Sequence, residues 1–205
     1  MTDNQPVIFP PPLPGFAAPL LSEEQLQQLA SARLTARKIR RAVSVATFDG
    51  WTIAIFAALS LVCGFSSVRG VGMGAGMAVI AGIELTGAGR LRRLDPRAAR
   101  MLGFNQLAFA MLLIVYAIVS LHGELTSGLS SQLSGIDPAA VDMLKPYEGL
   151  VRQITIAVYG SLIAVAVLAQ GGTALFYFSR TKHVEAYLKQ TPAWIVQMQR
   201  AGISL

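Results

Sequence analysis

Hydrophobic residues gather in four long runs, at 51–68, 71–88, 102–121 and 154–178, and arginine and lysine dominate the polar positions that separate them. At 1.5 Å of rise per residue the shortest runs make about 27 Å of helix, against a hydrocarbon core of about 30 Å. Each run is long enough for one crossing. The pattern predicts an all-α integral membrane protein: a four-transmembrane-helix bundle with cytoplasmic N- and C-terminal helical extensions. The transmembrane domain is assigned to residues 49–178, with 122–151 as an extracytoplasmic loop.

The extensions and turns carry local signals. Residues 1–21 form a Pro-rich cytoplasmic arm that includes Phe9-Pro10-Pro11-Pro12-Leu13-Pro14-Gly15, a composition that favours polyproline II. Two readings of the arm stay open: a disordered tail, or a docking strap that uses Val7, Ile8, Phe9, Leu13 and Phe16. Its prolines break any signal-peptide helix, so the first span is expected to act as its own insertion signal. Ser22-Glu23-Glu24-Gln25 has the form of a capping box. It starts a basic helix over 22–48, expected to show Leu26, Leu29, Ala30 and Leu34 on one face. That face drifts toward the end of the segment, which fits a helix rising into the first span as well as one lying on the bilayer.

Further along, Ser66-Ser67-Val68-Arg69-Gly70 predicts a tight turn between the first two runs. Asp95-Pro96 predicts the N-cap and first residue of the third helix. Asp137-Pro138 predicts a short helix running toward Lys145-Pro146. A bend is expected at Gln170-Gly171-Gly172-Thr173, and an interfacial aromatic belt at Phe176, Tyr177 and Phe178. The tail, 179–205, reads as a helix continuing into the cytoplasm and a second short helix after Thr191-Pro192. The apolar edge of that last helix, Trp194, Ile195 and Met198, suits a membrane surface or a partner groove.

Composition supports the membrane reading. Of 205 residues, 53% are hydrophobic and only 14% charged, against about 25% charged in a soluble domain. Too few charges remain to cover a water-exposed surface, so part of the surface must face lipid. The net charge of +6 sits at the ends of the apolar runs, where it orients helices and attracts anionic headgroups. Nucleic-acid binding is therefore not expected. Arg33, Arg37, Lys38, Arg40 and Arg41, then Arg90, Arg92, Arg93, Arg97 and Arg100, then Arg180, Lys182, Lys189 and Arg200 fall on one side of the predicted bilayer. Arg69, Lys145 and Arg152 fall on the other. The positive-inside rule then places both termini in the cytoplasm, and the expected location is a bacterial inner membrane. The single cysteine, Cys63, excludes an internal disulfide and is expected to pack as a small hydrophobe.

The second run is rich in glycine. Gly70 and Gly74, and Gly72 and Gly76, form small-xxx-small pairs that let helix backbones approach closely in lipid. Gly64 and Ala57 on the first run offer matching small surfaces, so a close hairpin of the first two helices is predicted. The order Val71-Gly72-Met73-Gly74-Ala75-Gly76 has the glycine density of a potassium-channel filter. It lacks a pore-helix sequence before it and continues into a full span. Packing is the better reading.

Glu84 is the acidic residue well inside an apolar run, and an intramembrane carboxylate is a candidate functional site. Asn105 and Gln106 lie at a similar depth in the third run, Gln170 and Thr173 in the fourth, and Thr52 with Asp49 at the same end of the first. These residues predict a polar layer with two possible roles. One is a hydrogen-bonded cluster that fixes helix packing, possibilities for the carboxylate's partner including Arg90 and Arg92. The other is a cation or proton site with Glu84 as ligand or carrier. His122 and His183, each two residues before a glutamate, lie on opposite sides of the predicted bilayer and are read as interfacial polar residues. No nucleophile elbow, phosphate loop, zinc-protease helix or dinucleotide fingerprint is present in the sequence. No catalytic residue, metal ligand or cofactor is assigned. The expected function is that of a non-catalytic accessory or assembly subunit of a membrane complex, or a homo-oligomer. The alternative is a small cation or proton channel or carrier. Its expected partners are anionic lipid headgroups and another membrane protein or itself.

Overall fold

The first helix, α1, spans Glu23–Cys63 and begins on a capping box. The Ser22 hydroxyl accepts from the Gln25 amide at 3.2 Å, and the Gln25 side chain accepts from the Ser22 amide at 2.9 Å. Glu23 and Glu24 place negative charge in the first turn, where the helix dipole favours it. The computed structural model describes residues 21–132 and 145–203. The Pro-rich arm and the helix expected at Asp137-Pro138 lie outside the described residues.

The helix α1 runs without a break from the basic segment into the first apolar run. Its buried face is a stripe of mostly small residues, Ala32, Ala36, Ile39, Ala42, Val43, Ala46, Gly50, Ile53 and Ala57. This differs from the leucine face expected from the sequence: Leu26 and Leu34 are exposed, and Leu29 packs only at the margin. Small side chains win the interior because they let neighbouring helix axes come closer.

The chain reverses at 64–67, earlier than predicted. The amide of Gly64 donates to Ser60 O at 2.8 Å, closing α1, and Ser67 Oγ accepts from the Gly70 amide at 2.9 Å, opening α2 over Val68–Arg92. The first apolar run thus ends as a helix at Cys63, and Val68, Arg69 and Gly70 belong to the next one. Apolar composition carries through the turn, so hydropathy alone extends the first run too far. Cys63 is exposed instead of packed inside the bundle.

A tight connection joins α2 to α3, which spans Pro96–Gln132. Leu94 adopts a left-handed backbone, φ 62°, which is uncommon for a non-glycine residue. Its side chain is almost fully buried, and that burial offsets the backbone cost. Asp95 Oδ1 accepts from the Arg97 amide at 2.9 Å, an Asx-type cap ahead of Pro96. The helix passes well beyond the predicted end at 121, so His122 begins no loop; it lies within α3.

After a single 3₁₀ turn at Lys145–Tyr147, α4 spans Glu148–Val165, a π turn occupies Ala166–Gln170, and α5 spans Gly171–Gln190. The distortion expected near Gln170 is therefore present as a π turn, while Gly171, at φ −60° and ψ −46°, is regular helix. A short α6, Ala193–Arg200, follows Pro192. It folds back onto α5: Tyr187 Oη donates to Gln199 Oε1 at 2.9 Å, and Ile195 and Val196 are buried. The apolar edge predicted to seek a membrane or a partner thus meets this chain's own core.

No strand occurs among the described residues. Four helical segments are long and apolar enough to cross a membrane: Glu23–Cys63, Val68–Arg92, Pro96–Ser127 and Glu148–Gln190. The arrangement fits a multi-pass membrane protein. Helix α1 pairs most extensively with α2, α3 packs on α2 and α5, and α1 meets α5 at the end of the bundle that carries the arginine clusters. That basic end holds the larger core, with Ile39, Leu91, Leu102, Tyr177, Val184, Tyr187 and Ile195 at its centre. A smaller core of Ile53, Ala57, Met77, Ile80, Ala81 and Phe109 joins α1, α2 and α3 farther along.

Candidate functional site

Four helices meet at Glu84. Residue 84 of α2 is fully buried, with 0% of its surface exposed, although a carboxylate is costly to bury without partners. Asn105 Nδ2 on α3 donates to Glu84 Oε2 at 2.7 Å. Tyr177 Oη on α5 donates to Glu84 Oε1 at 2.9 Å. The second amide hydrogen of Asn105 reaches Ile80 O, one turn earlier on α2, at 3.0 Å. Beside this group Gln106 Nε2 donates to Asp49 Oδ2 and so ties α3 to α1. Two acidic residues, two amides and a phenol thus link α1, α2, α3 and α5 at one level.

Small residues make the approach possible. A β-carbon at Gly50 would come within 2.8 Å of the Leu85 side chain and 3.3 Å of Glu84 Cβ, so glycine lets α1 sit against α2 beside Asp49. A β-carbon at Gly103 would meet the Phe178 ring at 2.6 Å. That ring also packs edge-to-face on Phe104, with centroids 5.3 Å apart and planes at 75°. The aromatic trio therefore does not form a uniform belt. Tyr177 turns inward to the carboxylate, Phe178 fills the α3–α5 contact, and Phe176 lies under the Arg180 guanidinium at 4.4 Å.

The structure brings three of the five predicted layer residues together: Glu84, Asn105 and Gln106. Gln170 is half-buried and has no side-chain hydrogen bond among the described residues. The Thr173 hydroxyl donates to Ala169 O at 2.8 Å, within its own helix. Thr52 does the same with Phe48 O at 2.9 Å. Depth along a helix was shared by all of these, but facing direction was not. The arginines named as ionic partners also lie elsewhere. Arg90 is exposed with its guanidinium 4.0 Å from Met101 Sδ, and Arg92 lines a pocket outside the cluster. Neutral donors, not cations, hold Glu84.

Among the predicted packing glycines, Gly64 and Gly70 meet most closely. A β-carbon on Gly64 would lie 2.7 Å from Gly70 Cα, so neither position has room for a side chain. Gly74 faces Leu61 of α1, and Gly76 faces Leu112 of α3. Gly72 has nothing within 4 Å of its β-position and takes no part in the hairpin contact. The expected Gly72–Gly76 pair therefore splits: one residue is open and the other packs on α3.

Chemically, the cluster offers acceptors held by fixed neutral donors. Asn105 Oδ1 and Gln106 Oε1 are buried and receive no hydrogen bond. No group of three or more His, Cys, Asp or Glu residues that could hold a metal occurs among the described residues. His183 Nδ1 lies 2.9 Å from Ser179 O, a contact within its own helix. No protein-family model matches the chain, and no curated protein or solved structure is significantly similar to it.

Proposed function

We propose that the chain is a non-catalytic multi-pass membrane protein that serves as an accessory or assembly subunit, joining a larger membrane complex or copies of itself. The observation that carries this reading is α4. None of its residues is buried, and Ile154, Ile156 and Val158 stand exposed along it. A helix packed on one neighbour presents the remaining apolar face to lipid or to a protein partner. The Glu84 cluster suits a supporting role, because both carboxylate oxygens are occupied by donors from other helices. In this reading both termini face the cytoplasm of a bacterial inner membrane, as the arginine bias favours. Native mass spectrometry of the full chain, extracted in mild detergent, tests it. A defined oligomer or a stoichiometric membrane partner is expected, and a bare monomer at every extraction condition would overturn it. A reporter fused after Leu205 that is active only outside the cytoplasm would reverse the orientation.

The second reading is a small cation or proton channel or carrier, favoured by the unpartnered oxygens of Asn105 and Gln106 beside two acidic side chains. Oxygen-rich sites of this kind suit hard cations. Glu84→Gln separates the readings. An accessory subunit keeps its fold and its complex, whereas a carrier stays folded and loses flux in liposomes.

A further inference from the structure

A second feature at the basic end belongs neither to the Glu84 cluster nor to the α4 face. A pocket of about 520 Å³ opens between α1, the α2–α3 connection and the end of α6. Its floor is apolar: Ile39, Val43 and Leu94 are each at least nine-tenths buried. Its rim carries Arg92, Arg93 and Arg40, whose Nη2 also donates to Arg33 O at 3.4 Å, and no acidic residue lines it among the described residues. Asp95, the acid next in sequence, is turned to the Arg97 amide. The C-terminal wall is fixed by backbone geometry. Gly202, at φ 95°, donates to Gln199 O at 3.0 Å, and Ile203 donates to Met198 O at 3.1 Å. That pair of bonds is a Schellman stop, which needs a left-handed residue such as glycine and holds Ile203 at the pocket edge.

The level of the pocket matters as much as its charge. Phe48 and Trp51 of α1 are 75% and 59% exposed and mark where the apolar surface begins. Of the α1 residues that line the pocket, Ser44 lies one turn below Phe48, about 6 Å along the helix, and Arg40 about two turns below, about 12 Å. The headgroup layer of a bilayer is about 5–7 Å deep on each side. On α2 the pocket is lined by Gly89 and Arg92, and the β-position of Gly89 has nothing within 4 Å, so the space beside it is open.

We infer that this pocket binds the phosphate of one anionic phospholipid, with the guanidinium groups of Arg92 and Arg93 on the phosphate and the glycerol end of the lipid against the apolar residues. Arginine matches phosphate through paired N–H donors. The volume falls within the range of about 300–1,000 Å³ typical of small-ligand sites, more than a bare phosphate needs. Basic pockets between helices are the usual receptors for anionic headgroups. This site is a discrete one-lipid receptor, distinct from the general attraction of basic helix ends for the membrane surface. It requires only that the bundle sit in a bilayer, and not that the chain assemble with a partner.

The test is native mass spectrometry of the full chain in uncharged detergent. It is titrated with phosphatidylglycerol, with phosphatidylcholine of the same acyl chains, and with inorganic phosphate as competitor. Retention of one phosphatidylglycerol at least about tenfold more tightly than phosphatidylcholine is expected. Arg92→Gln combined with Arg93→Gln should weaken that binding by about tenfold or more, because charge-assisted hydrogen bonds are lost. Arg97→Gln with Arg100→Gln removes the same charge outside the pocket and should change it less than about twofold. Gly89→Leu leaves the charge unaltered and should weaken lipid retention by obstruction, with an unchanged melting temperature showing that the fold is kept. Equal losses from both arginine pairs, or no loss from Arg92 and Arg93, would overturn the proposal. Displacement of the lipid by millimolar inorganic phosphate would also overturn it, in favour of a free-phosphate site.

Discussion

The two ends of the bundle are built from helices of similar apolar character, yet they are packed very differently. At the basic end α1, α2, α3, α5 and α6 converge on a shared core. Toward the opposite end α4 leans chiefly on α3 and buries no side chain of its own. The most apolar window of Val68–Arg92 is 39% buried, and that of Glu148–Gln190 only 6%. Hydrophobicity therefore does not decide which helix is enclosed. Inside lipid, tails and side chains are equally apolar, so close packing and hydrogen bonds drive association. The basic end has both, in the small-residue stripe of α1 and the Glu84 cluster; α4 carries Ala157, Gly160, Ser161 and Ala164, but none is buried and the β-position of Gly160 meets nothing within 4 Å.

That contrast can be broken by experiment. The largest effect should come from Leu102→Ala. Leu102 is fully buried, and its side chain occupies the space beside Gly87. A loss of about 2–5 kcal/mol is expected for such a cavity, read as a lower unfolding midpoint in detergent. Next, Glu84→Ala would leave the Asn105 amide and the Tyr177 hydroxyl without their acceptor. Each orphaned donor costs about 1–3 kcal/mol, so a loss of about 2 kcal/mol or more is expected. Glu84→Gln should recover most of it, since Tyr177 Oη can accept from the new amide. If alanine and glutamine melt alike, the cluster does not hold the helices together.

Smaller effects sharpen the contrast within α2 and α4. Gly70→Leu must push apart the backbone at Gly64, an overpacking cost of about 1–3 kcal/mol. Gly72→Leu projects into open space and should be close to neutral in the same melting assay. The smallest change is expected for Ile156→Ala on α4 in the isolated, unassociated chain, where the side chain is 45% exposed. Its melting temperature should match the parent chain to within about 0.5 kcal/mol equivalent. A loss as large as that of Leu102→Ala would mean that α4 is enclosed by something, such as a second copy of the chain.

The sequence made the helical framework legible because its signals are local. The capping box at Ser22 and the Asp95-Pro96 start stand where expected, and four apolar helices follow from run length. The face each helix buries was harder to read. In α1 a leucine face and an alanine face compete with nearly the same spacing, and only the packing of neighbouring axes selects the alanines. Glu84, Asn105 and Gln106 stood out because polar residues are rare within apolar runs. Asp49 was seen only as a marker beside the first run, since its contact is made through Gln106 on a distant part of the chain. Tyr177 was hidden in an aromatic triplet. Its direction depends on the phase of α5, which the preceding π turn shifts, so the pattern of 154–165 does not extrapolate to it.

The unbroken course of α1 has a mechanical consequence. One helix of 41 residues, about 60 Å long, carries both the contacts of the basic core and the Asp49 link to Gln106. No proline or π turn interrupts it between those points, so their separation and relative rotation are set by regular helix geometry. The stretch between them is itself packed, with Ala36, Ile39, Ala42 and Ala46 buried, so the helix is clamped along its length and acts as a spacer that fixes how far the basic core stands from the polar junction.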